Sequence, residues 1–535
     1  MQTTILPAIL LLTTFFLGSA FYNYSDMILH GRQYDDAYIT YRYAVNLAAG
    51  NGFVFNSYEK VNSASSFLYT LFLAGLYKFG FQNLERVAAI LGLTSGCLLI
   101  LFTSLLVFRI IGNALLTALL LLPLFISGSI TGWAVSGMET IFFSMLIMAF
   151  LWAYYSDRFA FSLALLAACL LTRFEGVILL ASLLFSEWID GGFRLRNRRL
   201  AVFAITGAIS FGGLVAFYLC YYGTAIPHPV LLKKYALYYS HPLFTSLEET
   251  LTFLIKNFGL YTIPGIGFAV FLLWSKWSEI RTNKDREELS RSFFSQTLGT
   301  LGAQAQTRDV LVAVYILLSV LSYIVGPASD QNRYMIPLVP VLAVATALIC
   351  HYWVQGYITP SRAVLIFGVI LLALATYQAT RNQMRVSQFF SRTAEHQMAR
   401  EEMGRWISVH VPSDHIILSS DIGAIAYFAK AHDFIDVFGL TSKAPIAALE
   451  KEEWPAFVEE LKAKKPSWAA DTGSPDGALQ ALEIVGQPSR YYRGISGQRE
   501  PYLNLYSDAN KVGLSIRASD GRVFRVVHLD PRLWP

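Results

Sequence analysis

Charge is what this sequence has least of. Only 15% of its 535 residues are Asp, Glu, Lys or Arg, where a soluble domain carries about 25%. Cysteine is also scarce. Cys97, Cys169, Cys220 and Cys350 each lie inside an apolar run with no CxxC spacing, so they read as packing residues rather than a disulfide or thiolate metal framework. There is no GxGxxG, no repeat of 20–50 residues and no basic stripe of the kind that follows nucleic acid. No His/Cys/Glu cluster argues for a metal; the expectation is no metal site and no cofactor, with a divalent cation left open. These absences exclude a cytosolic enzyme, a disordered chain and a disulfide-rich secreted module. What is abundant is apolar: 54% of residues belong to the AVILMFWYC set, 14% are aromatic, and mean hydropathy is +0.45. Long apolar runs need lipid to cover them, so the chain reads as a polytopic helical membrane protein.

The remaining charge is unevenly placed. Residues 381–535 hold 19 basic and 19 acidic residues, 38 of the chain's 79, and alternate strand-like and helix-like runs. They predict an external α/β domain, with helix 394–410, strand 415–420, a short helix after Asp421, strand 433–438, helix 452–464 and strands near 467–471, 502–506 and 523–528. Residues 1–380 form the membrane domain, with about 11 transmembrane helices. The first, 5–22, is read as an uncleaved helix rather than a signal peptide, because it lacks a basic n-region. The others are 84–108, 113–128, 138–155, 159–172, 174–190, 200–222, 257–275, 309–327, 334–353 and 363–380, with 159–190 the hardest to divide. Segment 63–80 is apolar but amphipathic and reads as an interfacial helix.

Lysine and arginine orient this map. With the N-terminus inside, the cytoplasmic loops total 57 residues and hold 13 Lys and Arg; the external loops total 111 and hold nine. The positive-inside rule therefore puts the N-terminus in the cytoplasm and, after eleven spans, residues 381–535 outside.

Residues 25–83 form the first external loop, and it carries the chemistry. Asp35 and Asp36 stand together at the start of a helical run, DDAYITYRYAVNLAAGNGFVFN. An acid there can serve as a cap or complement the helix dipole, but one cap needs one Asp. Two adjacent acids raise one another's pKa and can poise a general base. Arg42 follows Asp35 by seven residues, on nearly the same helix face; it reads either as a cation for a leaving phosphate or as an interface snorkeler.

This stretch resembles the opening loop of the GT-C membrane glycosyltransferases that use polyprenyl-phosphate sugars, most closely the branch of the mycobacterial terminal arabinofuranosyltransferases. Further segments resemble that family in the same order. They are Ser136-Gly137-Met138-Glu139-Thr140, Thr172-Arg173-Phe174-Glu175-Gly176, the loop Tyr222-Gly223-Thr224-Ala225-Ile226-Pro227-His228-Pro229, Arg333-Tyr334-Met335-Ile336-Pro337, and Asp421-Ile422-Gly423 followed by Asp436-Val437-Phe438-Gly439-Leu440-Thr441. His228-Pro229 departs from the family's usual Asn-Thr, and the external domain is short beside the mycobacterial members.

The resemblance implies a GT-C fold and an inverting transfer of a sugar, arabinofuranose being one candidate, from a polyprenyl-phosphate donor to an external glycan or glycolipid acceptor. Asp35 is the expected base and Asp36 its partner in orienting the acceptor, or the reverse. Arg42, Lys233, Lys234, His228 and Arg333 are the expected donor-phosphate contacts; Tyr38, Glu139, Arg173, Glu175 and Asp421 are the expected sugar or acceptor contacts. The implied setting is a bacterial inner membrane with the active site on the external face and the lipid bilayer as a partner, and no nucleic acid. The competing reading is a flippase or transporter of lipid-linked sugars. Transporters place ionisable groups at the bilayer midplane, whereas here the spans are almost free of charge and the acid pair lies outside them.

Overall fold

The computed structural model describes residues 5–64, 66–190, 198–235, 243–282, 307–325, 332–357, 363–473, 479–492, 510–530 and 532. Helices dominate the first three-quarters. They are α1 (Leu6–Leu29), α2 (Asp35–Ala48), α3 (Phe67–Lys78), α4 (Leu84–Ile111), α5 (Ala114–Phe125), α6 (Gly128–Val135), α7 (Thr140–Tyr155), α8 (Phe159–Thr172) and α9 (Gly176–Asp190). They continue with α10 (Arg198–Gly207), a π-turn at Ala208–Gly212, α11 (Gly213–Tyr222), α12 (His228–Tyr235), α13 (Leu243–Thr282), α14 (Thr307–Val325), α15 (Leu338–Tyr357) and α16 (Ala363–His410).

Local chemistry fixes several boundaries. Asn83 and Asn113 cap α4 and α5 by accepting from the main-chain N–H of Arg86 and Leu116, and α4 ends on Gly112 in the left-handed conformation. Gly92 lets α4 close on α6, since a Cβ there would fall on the Ala134 carbonyl oxygen. Between α5 and α6 the chain bends by 63°, and the bend frees main-chain groups that lipid cannot satisfy. Asn382 of α16 supplies a partner: its Oδ1 accepts from the Ser129 N–H at 2.9 Å and from Ser127 Oγ at 2.8 Å.

Among the described residues, Leu6–Leu29, Leu84–Ile111, Arg198–Tyr222 and Leu247–Trp274 are each long and apolar enough to cross a bilayer; the bent α5–α6 pair makes up to five. Five further apolar helices are shorter, so the expected eleven spans exceed the full-length ones found. Two expectations are corrected. Segment 129–137, read as an external loop, contains the buried helix α6. Helices expected separately at 363–380 and 394–410 are one 48-residue helix, α16, because nothing in Thr380–Thr393 breaks it: there is no Gly or Pro in that stretch. The expected strand near 502–506 and most of the charged loop 276–308 lie outside the described residues.

Beyond α16 a small α/β unit forms. Strands β1 (Ile417–Ser419), β2 (Phe434–Asp436), β3 (Trp468–Gly473), β4 (Lys511–Arg517) and β5 (Val523–His528) make one sheet in the order β2-β1-β3-β5-β4. β1 lies parallel to β2 and β3, while β5 is antiparallel to β3 and β4. Helices α17 (Ala424–Phe428), α18 (Lys443–Glu450), α19 (Trp454–Lys464) and α20 (Gln480–Gly486) accompany it. With β1 flanked on both sides by later parallel strands, the strand order reverses at β1. In open α/β sheets ligands bind outside the carboxyl ends of the strands at such a point.

The segment around α2 joins sheet to bundle. Ile39, Tyr43, Phe53 and Phe55 share one apolar core with Ile422, Ile425, Phe434 and Phe524. Arg42 bolts that core together. Its Nε donates to the Phe55 carbonyl at 2.9 Å, one Nη to the His432 carbonyl at 2.8 Å, and the other to the Ala426 carbonyl. The guanidinium also lies 4.5 Å from the Phe55 ring centre. Burial lowers its pKa to about 10, so it stays charged at neutral pH. Arg42→Ala would take a donor from each of these carbonyls, with Asn46 Nδ2 still donating to that of Phe55, at about 1–3 kcal/mol for a buried group left unsatisfied. The expected result is a thermal midpoint lowered by several degrees, measured on detergent-solubilised protein.

Candidate active site

A cavity of about 690 Å³ lies where α2, α12, the Asn332–Tyr334 turn, the outer part of α16 and the carboxyl ends of β1 and β2 converge. Asp35 and Asp36 both line it. Neither accepts a side-chain cap bond at its own helix start: Tyr34 holds the cap position, and its N–H donates to the Ser136 carbonyl at 3.1 Å. Successive helical residues point about 100° apart, and the two acids accordingly meet different partners.

Asp35 faces the sheet. Its Oδ1 accepts from the Ala424 N–H at 2.9 Å and lies 3.6 Å from Arg400 Nε. Arg400 lies closer to Asp421, at 2.8 Å from Oδ2, and Thr472 Oγ1 donates to the same oxygen. One guanidinium thus spans two carboxylates. Burial pushes the Asp35 carboxyl well above the usual range; Arg400 pulls it back and Asp421 pushes it up again. Burial also acts on Asp421, but the ion pair and hydrogen bond from Arg400 outweigh it and hold that carboxyl low. Gly423 permits the close fit, since a Cβ there would fall on the Asp35 carboxyl and main-chain oxygen. Asp436 closes β2 beside them. Its carboxylate accepts from the N–H groups of Phe438 and Thr441, at 2.9 and 2.7 Å, and burial raises it to about 6.

Asp36 faces the bundle. Its Oδ2 accepts from Arg333 Nη1 at 2.8 Å. Arg333 also donates to the Tyr334 hydroxyl at 3.2 Å, and Lys233 Nζ donates to that hydroxyl at 3.3 Å while lying 4.3 Å from the ring centre. Arg173 sits over the ring at 5.0 Å, so three cations converge on one phenol. Behind the cavity wall, Arg173 pairs with Glu139 at 3.5 Å and Glu175 at 3.1 Å. Its Nη1 meets no acceptor among the described residues.

The cavity therefore gathers Asp35, Asp36, Lys233, Arg333 and Asp421, with Arg173, Glu139 and Glu175 one layer behind. Four expected contacts lie elsewhere. Arg42 is consumed by the carbonyls described above. Tyr38 is buried, with its hydroxyl hydrogen-bonded to the Gly31 carbonyl at 2.5 Å. His228 is buried, and burial pushes its pKa down to about 4, so it is uncharged at neutral pH and offers a phosphate no cation. Lys234 points to the Tyr235 hydroxyl at 3.2 Å, away from the cavity lining. Arg400 and Tyr334 were missed as site residues. Tyr334 stands inside the quoted Arg333–Pro337 segment, so its place next to Arg333 was the available signal.

Among the described residues, no group of three or more His, Cys, Asp or Glu side chains is arranged to hold a metal ion.

The fold of this chain has counterparts among solved structures. The match is to the crystal structures of ArnT from Cupriavidus metallidurans. The form bound to undecaprenyl phosphate aligns over 97% of each chain at 11% identity, with a TM-score of 0.56; the apo form aligns over 98% of each at 12% identity, with a TM-score of 0.54. This chain shares their fold. A family model described as a domain of unknown function (DUF8728) matches residues 382–510. No curated protein matches the chain.

Proposed function

We propose that the protein is a membrane glycosyltransferase that takes a sugar from a polyprenyl-phosphate donor and passes it to an acceptor hydroxyl on the external face of a bacterial inner membrane. The observation that carries this is the division of labour inside one cavity: a buried acid on one side and converging cations on the other. The shared fold supports it, because the ArnT structure was solved with undecaprenyl phosphate bound.

The acceptor hydroxyl attacks C1 of the sugar and a new C1–O bond forms. Asp35 takes the hydroxyl proton. The bond from C1 to the phosphate oxygen breaks, and its electron pair leaves with the polyprenyl phosphate. Direct displacement inverts C1. A base works best with a pKa near the working pH, and burial moves Asp35 in that direction. Asp36, held by Arg333, orients the reacting groups. Arg333 and Lys233, with the Tyr334 hydroxyl, receive the phosphate where negative charge develops on the leaving group. Arg173, whose Nη1 meets no acceptor among the described residues, supports them from behind. Arabinofuranose remains one candidate sugar, and the N-terminus-inside, eleven-span topology with an external domain from residue 381 is the arrangement that puts this cavity at the outer leaflet.

Two outcomes test the assignments. Lys233→Ala should raise the KM for a short-chain polyprenyl-phosphate sugar by roughly tenfold, the loss of one charge-assisted contact; Lys234→Ala should leave it unchanged. Arg400→Gln should move the acid limb of the pH–rate profile upward. The sign follows from the charges: Asp35 must be ionised to act, and Arg400 favours its ionised form, so removing the cation makes the proton harder to lose. A limb that stays put, or shifts to lower pH, would detach Arg400 from the base.

A further inference from the structure

One wall of the cavity is a single face of α16. Arg385, Gln388, Phe389, Arg392 and Thr393 all line it, at the three- and four-residue steps that bring helical side chains to one side. None of them is part of the base or phosphate groups described above. Phe389 packs against Phe390 and Tyr34 yet stays 45% exposed and lines the cavity. Arg385 and Arg392 are exposed, about 10 Å apart along the helix by its rise per residue.

Charge distinguishes this wall. Arg333 is paired with Asp36, and Arg400 with Asp35 and Asp421. Arg522, also on the lining, pairs with Asp520 at 3.4 Å. The Asp436 carboxylate is taken by main-chain N–H groups. Among the described residues, Arg385 and Arg392 have no carboxylate within salt-bridge distance, so two planar guanidinium forks stand open to the cavity. Such forks suit the bidentate geometry of carboxylate and phosphate. An exposed aromatic between them suits the apolar face of a sugar ring, with Gln388 and Thr393 beside it for hydroxyls.

We propose that this face of α16 is the acceptor subsite, and that the acceptor is an anionic glycan whose carboxylate or phosphate groups are read by Arg385 and Arg392. The subsite rests on the transferase reading above, in which the donor's phosphate belongs to Arg333 and Lys233. The wall runs along α16 from Arg385 to Arg400, and so leads an acceptor to Asp35. The same anion chemistry is found in phospholipid headgroups, and exposed apolar residues flank Arg385 on α16: Met384 is 62% exposed, Leu374 60% and Tyr377 61%.

The test uses the full chain in phosphatidylcholine nanodiscs. The probes are hexagalacturonate, a phosphorylated maltohexaose and uncharged maltohexaose, with undecaprenyl phosphate titrated separately. At least one charged glycan should bind roughly tenfold or more tighter than maltohexaose, with an affinity that falls as salt rises. Arg392→Gln and Arg385→Gln should each remove most of that preference, Arg392→Lys should keep part of it, and undecaprenyl phosphate should bind all of these proteins alike. Equal binding of charged and neutral glycans, or full charge preference in both Gln variants, would overturn the proposal. So would variants that lose only their association with phosphatidylglycerol nanodiscs, since that would assign the arginines to headgroups. Failure of undecaprenyl phosphate to bind any of the proteins would count against the donor reading instead, and would leave the glycan result to be read on its own.

Discussion

Asp35→Asn is expected to lower sugar transfer by about 10²–10⁴-fold, the range for losing a positioned general base, while leaving the fold intact. The substitution keeps an oxygen for the Ala424 N–H bond and removes the ability to accept a proton. It also removes a buried charge that the surroundings disfavour, so the thermal midpoint should not fall far. Asp36→Asn should behave differently. Its carboxylate holds Arg333 at 2.8 Å, so the neutral variant should raise the donor KM as well as lower kcat. Single-turnover assays with a short-chain polyprenyl-phosphate sugar separate the two. A fully active Asp35→Asn together with an inert Asp36→Asn would reverse the roles; full activity in both would end the general-base proposal.

Arg333→Gln carries the second large effect. Arg333 donates both to Asp36 and to the Tyr334 hydroxyl. Its loss leaves Asp36 unpaired and takes a cation from the point where the leaving phosphate gains charge. Removing one such electrostatic contact costs about 10²–10³-fold, and here kcat/KM for the donor should fall by that order. Arg333→Lys should recover part of the loss, because it restores charge without the two-pronged geometry. An unchanged kcat/KM in the Gln variant would remove Arg333 from the donor site.

Much of this site was legible in the sequence because its residues sit in short, recognisable segments: Asp35 and Asp36 at a helix start, Arg333 in Asn332–Pro337, and Asp421 after a strand. Lys233 was legible as one of few external cations. The sequence could not say which way each side chain points. Arg42 is seven residues from Asp35, and periodicity alone puts both on one face, yet Asp35 borders the cavity with Ile39 and Thr40 while Arg42 is buried against the main-chain carbonyls of Phe55, Ala426 and His432. His228 fails for a related reason: a loop histidine reads as a cation until burial is known. Arg385 and Arg392 were hidden by the expected break after residue 380, and Arg400, inside the expected helix 394–410, was cut off from them. Once α16 is continuous, their spacing places them along one wall. The α/β character of the C-terminal part followed from its alternation, but strand β4 was missed. The signal was present, since Val512, Leu514 and Ile516 alternate with Lys511, Gly513, Ser515 and Arg517 in the period-2 pattern of a strand with one polar face.

The most direct test of the account is to incubate the purified full-length protein with a panel of short-chain polyprenyl-phosphate sugars and follow release of the free polyprenyl phosphate. The account predicts that at least one donor is consumed, that its sugar appears on an acceptor or on water, and that Asp35→Asn leaves the same donor intact. Recovery of every donor uncleaved by the wild-type protein, or its delivery across the bilayer with the sugar–phosphate bond unbroken, would contradict it.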